Sequence, residues 1–123
     1  MATSGFAIPA FRKLSSNHNH QIIAVYTKEP KIAGRGHKIQ NSPIHNLALE
    51  ENIPIFTPKT LRDKSEQEKF ANLNAHLAIV ISYGLILPPE ILEGTKFGGV
   101  NIHPSSLPKW RGAAPLQLSL IHI

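Results

Sequence analysis

Residues 77–82 read Leu77-Ala78-Ile79-Val80-Ile81-Ser82, a run without charge and with β-branched side chains at 79, 80 and 81. A segment apolar at successive positions must be covered on both faces. It therefore predicts a central strand of a parallel sheet, with helices packed above and below. Toward the C-terminus, YGLILPP from Tyr83 to Pro89 reads as a turn, followed by a short helix over Glu90 to Glu93. Gly98-Gly99 then lead into a second strand, Val100 to Ile102, which opens into a loop dense in Pro, Ser and Gly.

Toward the N-terminus the same alternation continues. Ser65 and Glu68 have the spacing of a capping box, opening a helix that buries Phe70 and Leu73. Pro54 to Phe56 is a short strand. Ser42-Pro43 forms an N-cap and first-turn pair for a helix to about Glu51, with Ile44, Leu47 and Ala48 inward. Lys28 to Gln40, KEPKIAGRGHKIQ, reads as a loop in which Gly34 and Gly36 flank Arg35. Gln21 to Thr27 is a buried β-branched strand, and Ser15 to His20 is polar and ends a helix. That helix begins near Phe6 with no strand before it. Ala7, Ala10, Phe11 and Leu14 fall at helical spacing, and Pro9 is tolerated in the first turn. Helices alternating with strands predict a doubly wound α/β sheet with right-handed crossovers.

With 123 residues the chain suits one domain. Hydrophobic residues make up 41%, charged residues 17%, and the mean hydropathy is −0.11, a globular composition. There is no cysteine, which excludes disulfides, thiolate zinc sites and a cysteine nucleophile. No apolar run approaches the roughly 20 residues of a membrane helix, and the N-terminus lacks the pattern of a signal peptide. A net charge of +5 and a pI near 9.8 fit either a solubilising surface or a polyanionic partner. Clustering separates those readings better than the total does. Lys28, Lys31, Arg35, His37 and Lys38 are opposed only by Glu29, which makes this loop a candidate phosphate contact beside the plainer reading of a solvated loop. It has neither GxGxxG nor P-loop spacing, so a nucleotide cradle is not expected.

Among the seven histidines, His103 stands apart. His18 and His20 sit in a polar turn, and His45 and His76 are at or near helices. No pair has the spacing of a helical zinc site, and no metal is expected. Asn101 and His103 lie two residues apart at a strand terminus and so share a face. An imidazole there can steady an oxyanion or move a proton, and an Asn amide can donate to the same oxygen. The alternative is a structural polar turn. The loop from Pro104 to Gly112, with Trp110 and Arg111, could wrap a flat heterocycle or simply pack its own Trp. Tyr83-Gly84 is either a backbone approach to a ligand or an ordinary turn.

Asn101-Ile102-His103, with Ser105-Ser106-Leu107-Pro108 and Gly112, resembles the N-x-H…S-x-L-P…G signature of the folate-dependent formyltransferases. The continuation from Trp110 to Gln117, WRGAAPLQ, is similar to one branch, the methionyl-tRNA formyltransferases. Ala2-Thr3-Ser4-Gly5-Phe6-Ala7 resembles that branch's G-T-P-x-F-A, and Ala33-Gly34-Arg35-Gly36 its A-G-R-G loop. Ser42-Pro43, Pro54, Thr60-Leu61-Arg62 and the YGLILP of 83–88 fall in the same order, so the resemblance runs from Ala2 to Gln117.

The resemblance implies a mostly parallel Rossmann-like sheet of the formyltransferase type. It implies formyl transfer from 10-formyltetrahydrofolate, without a metal, to the α-amine of methionyl-initiator tRNA. Asn101 and His103 would be catalytic. Tyr83, Gly84, Leu85, Leu87 and Pro88, with Ser105, Ser106, Leu107 and Pro108, would bind the folate. Lys28, Lys31, Arg35 and Lys38 would meet the tRNA. The whole enzyme is expected to be a monomer of the bacterial-type cytoplasm or of an organellar matrix, with no membrane partner.

Departures from the pattern carry their own expectations. The family's first strand should precede the G-T-P turn, so the sheet is expected to be incomplete at both ends. The pattern's downstream Asp has no counterpart, since the last Asp is Asp63. Residues 1–117 thus read as a partial catalytic domain, inactive or nearly so alone, and 118–123, LSLIHI, as a doubtful non-family tail. The alternatives are an amino-sugar formyltransferase, a formyltetrahydrofolate hydrolase, or a non-catalytic folate- or RNA-binding module.

Overall fold

A computed structural model describes residues 1–33, 36 and 38–103. Strand β1 (Val25–Tyr26) lies parallel to β4 (Ile55–Phe56). Strand β5 (Ala78–Ile81) lies parallel to β6 (Gly99–Ile102), from Ala78 opposite Gly99 to Ile81 opposite Ile102. Residues 1–3 join the two ladders. The Ala2 amide donates to Tyr26 O at 2.9 Å, and the Ile81 amide donates to Met1 O at 2.9 Å. Ala2 also bridges Ile81 in the parallel sense.

From residues 1–3 the chain steps outward through β1 to β4, then returns to the opposite side for β5 and β6. That reversal is the doubly wound arrangement, and it creates a switch point at the C-terminal ends of the strands. The central place expected for 77–82 holds, with β6 on one side and residues 1–3 on the other. The sequence placed no strand before Phe6. Three extended residues nonetheless fill that slot, because their amides and carbonyls match those left open by β1 and β5.

Each face of the sheet has its own core. A 3-10 turn at Gly5–Ala7 runs into α1 (Ile8–Ser16), which lies with α2 (Pro43–Glu50) on one face. There Phe11, Val25, Ile44, Ala48 and Ile81 are buried together. Helices α3 (Lys64–Ala71) and α4 (Pro89–Glu93) cover the other face, over Tyr26, Phe70, Ala78, Tyr83 and Ile91. Consecutive residues of a strand face opposite ways, which is why Val25 and Tyr26 fall in different cores. Tyr26 stacks on Phe56 at 4.9 Å between ring centroids and meets Phe70 edge-on at 5.4 Å.

Local readings hold in most places. Ser42 caps α2, its Oγ accepting from the His45 amide at 3.0 Å, with Pro43 in the first turn and Ile44 and Ala48 buried. Three differ. The N-cap of α3 is Asp63, with extended dihedrals of φ −71° and ψ 132°, so Ser65 and Glu68 lie inside the helix. The approach to α3 is tied instead by Gln67, whose Nε2 donates to Leu61 O at 3.0 Å. The strand expected over 21–27 pairs only at Val25–Tyr26, because its partner β4 is itself just Ile55–Phe56. The segment 28–40 contains a hairpin: β2 (Lys31–Ala33) runs antiparallel to β3 (Lys38–Gln40), with Ile32 opposite Ile39. The matched Lys-Ile pairs on either side of the glycines supply that ladder.

Candidate functional site at the strand ends

The C-terminal edge of the sheet is drawn together by one hydroxyl. Thr3 Oγ1 donates to Tyr83 O at 2.6 Å and accepts from the Lys28 amide at 3.2 Å. The Thr3 amide donates to Ser82 O at 3.2 Å. Residues just past β1, the N-terminal segment and β5 are thereby fixed to one another. Since Ile81 and Ile102 are paired, the residues that follow them leave the sheet side by side: Ser82 to Gly84 from β5, and His103 from β6.

Asn101 is exposed on β6 opposite Val80, and His103 is partly buried just past the strand. The candidate catalytic pair therefore lies at the edge where open α/β sheets place chemistry. Tyr83 and Gly84 reach the same edge by backbone. The Tyr83 side chain turns away into the core and is 2% exposed, leaving only its main chain for a ligand. Leu85, Leu87 and Pro88 are partly buried and Ile86 is 70% exposed. Ser105, Ser106, Leu107 and Pro108 lie outside the described residues, as do Trp110, Arg111 and the 118–123 segment.

Gly84 has φ +93°, a left-handed conformation that favours glycine. A Cβ there would stand 3.1 Å from Lys28 Cδ and 3.2 Å from Lys28 Cε. The Lys28 stem thus lies across the Gly84 backbone, and Lys28 belongs to the strand-end cluster as well as to the basic segment. The other cations are distributed along the hairpin. Lys31 and Lys38 are exposed on β2 and β3, while Arg35 lies outside the described residues. Ile32 and Ile39 face each other on the other side of the hairpin, 67% and 72% exposed.

Sequence reasoning missed Thr3 as a structural centre, although it sits in the quoted Ala2-Thr3-Ser4 stretch. Nothing local signals its role, because both partners of its hydroxyl are distant in sequence. It also missed Thr27, which is fully buried with its Oγ1 2.6 Å from the capping Ser42 Oγ, joining the end of β1 to the start of α2.

Two buried phenols lie behind the site. Burial pushes Tyr26 up to about 12, with Glu66 adding to the shift. Tyr83 is raised further, by burial first and then by Tyr26 and Glu66. Both phenols therefore stay neutral at ordinary pH, and neither serves as a base. Among the described residues no three His, Asp or Glu side chains gather to hold a metal ion, and no helix is long and apolar enough to cross a membrane.

Comparison with known proteins agrees with this geometry. Residues 3–122 match the formyl transferase family. The chain is 49% identical over 121 residues to the methionyl-tRNA formyltransferase of Rickettsia bellii, covering 98% of this chain and 40% of that protein. The protein of the same name from Wolbachia of Drosophila simulans gives the same figures. That of Ehrlichia ruminantium is 42% identical over 122 residues, covering 99% of this chain and 40% of its own. The chain spans about 40% of the length of the curated relatives it matches. A parallel, doubly wound sheet, an Asn-x-His pair at its C-terminal edge and a family match over nearly every residue lead to one conclusion: the chain belongs to the formyl transferase family.

Proposed function

We propose that the complete protein transfers a formyl group from 10-formyltetrahydrofolate to the α-amine of methionyl-initiator tRNA, for translation initiation. The observation that carries this reading is an Asn-x-His pair, Asn101 and His103, at the end of a strand in parallel register with β5, in a chain 49% identical to proteins of that name.

In the proposed reaction the amine nitrogen attacks the formyl carbon and forms the new C–N bond. The carbonyl oxygen becomes an oxyanion, which the Asn101 amide and the His103 imidazole steady by hydrogen bonds. The bond from that carbon to N10 of the folate then breaks. The amine loses one proton and N10 gains one, so the products are formyl-methionyl-tRNA and tetrahydrofolate. Ser105, Ser106, Leu107 and Pro108 line the folate site, and the 83–88 backbone faces the pterin. Lys28, Lys31, Arg35 and Lys38 receive the phosphates of the tRNA acceptor end. The enzyme works as a monomer in the compartment where initiator tRNA is charged, the bacterial cytoplasm or an organellar matrix.

The test is direct. The complete gene product is incubated with 10-formyltetrahydrofolate and either methionyl-tRNA or an amino-sugar nucleotide. Formyl-methionyl-tRNA is expected. Formylation of the sugar instead, or release of formate without transfer, would overturn the assignment in favour of a sibling formyltransferase or a hydrolase.

A further inference from the structure

The segment after β5 has a backbone that needs support. Ser82 is a non-glycine residue at φ +47°, and Gly84 follows at φ +93°. A left-handed residue outside glycine persists only where its surroundings hold it. Here the surroundings are specific. Thr3 binds two successive carbonyls of the turn, Ser82 O through its amide and Tyr83 O through its hydroxyl. The same hydroxyl takes the Lys28 amide, and the Lys28 stem occupies the space a Cβ at Gly84 would need. The turn is therefore gripped from the far side of the switch point, by residues remote from it in sequence.

We propose that Thr3 is a positioning residue for the formyl donor: its hydroxyl, shared between Tyr83 O and the Lys28 amide, holds the 83–88 backbone in the shape that meets the folate. This inference rests on the proposed reaction. Thr3 touches neither substrate. It acts through the main chain of Tyr83 and Gly84, whose own side chains offer the ligand nothing. A loop that recognises a ring by its backbone cannot adjust by changing rotamers, so its affinity depends on how firmly that backbone is held.

Thr3→Val keeps the branched shape and removes the hydroxyl, whereas Thr3→Ser keeps the hydroxyl. Both are made in the complete protein and assayed with 10-formyltetrahydrofolate and methionyl-tRNA. In Thr3→Val the donor KM is expected to rise about tenfold with kcat little changed, the scale of one or two lost hydrogen bonds. Thr3→Ser should restore it. Amide hydrogen exchange at Lys28, measured without substrate, should accelerate in Thr3→Val and not in Thr3→Ser. Faster exchange with an unchanged donor KM would reduce Thr3 to a structural tie and overturn the proposal. So would a donor KM equally raised in both variants. If the unsubstituted protein transfers no formyl group from this donor, the reaction assigned above fails and the positioning role fails with it. The exchange data would still show separately whether the hydroxyl ties the two loops.

Discussion

The strand-end edge and the β2–β3 hairpin hold their shapes by opposite means. At the edge, Thr3 joins residues 25 and 80 positions away through side-chain bonds, and every strand of the parallel sheet except β4 ends beside a candidate site residue or its support. Among the described residues the two hairpin strands pair only with each other, with Lys31, Ile32, Lys38 and Ile39 exposed. The contrast fits the two tasks proposed for these regions. Steadying an oxyanion demands donors placed to a fraction of an ångström, which only long-range ties provide. Meeting a large polyanion demands charge and reach, and tolerates a loosely tethered element.

The comparison is most severely broken from beneath the edge. Phe70→Ala removes the ring that Tyr26 meets, and the expected cost is about 3–5 kcal/mol of unfolding free energy. Chemical denaturation of the complete protein measures it. A loss below about 1 kcal/mol would mean that this core does not support the edge. Next in size, His103→Ala should lower kcat about 10²–10³-fold, as for a lost oxyanion donor, while stability stays within about 1 kcal/mol. Retained turnover would remove His103 from the chemistry.

The hairpin should respond differently. Lys31→Ala with Lys38→Ala should raise the tRNA KM and flatten the salt dependence of binding by about one unit of slope per lost contact. An unchanged slope would show that the hairpin cations face only solvent.

The smallest effect concerns Tyr26. Its phenol is raised to about 12 in the fold against an ordinary value of 10. Below pH 10 both folded and unfolded forms are neutral, and the stability is fully present. Above it the unfolded form ionises first, so stability falls as pH rises through about 12. Tyr26→Phe should remove that part of the alkaline decline, while costing no more than about 1 kcal/mol at pH 8, because the hydroxyl has no bonded partner among the described residues. Matched denaturation curves at pH 8 and 11 decide it. An equally steep decline in the variant would mean that another group titrates.

Much of this architecture is legible in the residues themselves. The Leu77-to-Ser82 run announces a central strand because two-sided burial leaves no room for polar side chains. Ser42-Pro43 announces a helix start because an N-cap oxygen and a missing amide both suit a first turn. The hairpin hid behind its glycines and charges, since three-residue strands carry too little alternation to stand out. Asp63 prevailed over Ser65 as the start of α3 because Leu61 and Arg62 carbonyls are held by Gln67, a side chain the local pattern does not weigh. Of the candidate site, the strand-end placement of Asn101 and His103 was legible in their spacing. Thr3 was not, because a hydroxyl whose partners are Tyr83 and Lys28 has no signature within its own neighbourhood.

Residues 1–3 also set an order of events in folding. Their bonds reach Tyr26 on one side and residues 79–82 on the other. These residues come before β1 in the chain, yet their slot cannot close until β5 has been made. Until then the β1–β4 half presents an open edge, and closing so long a loop is slow. This segment thus precedes β1 in sequence but is locked into the sheet only after β5. Substitutions at Ala2 or Thr3 should register in the refolding rate at least as clearly as in the final stability.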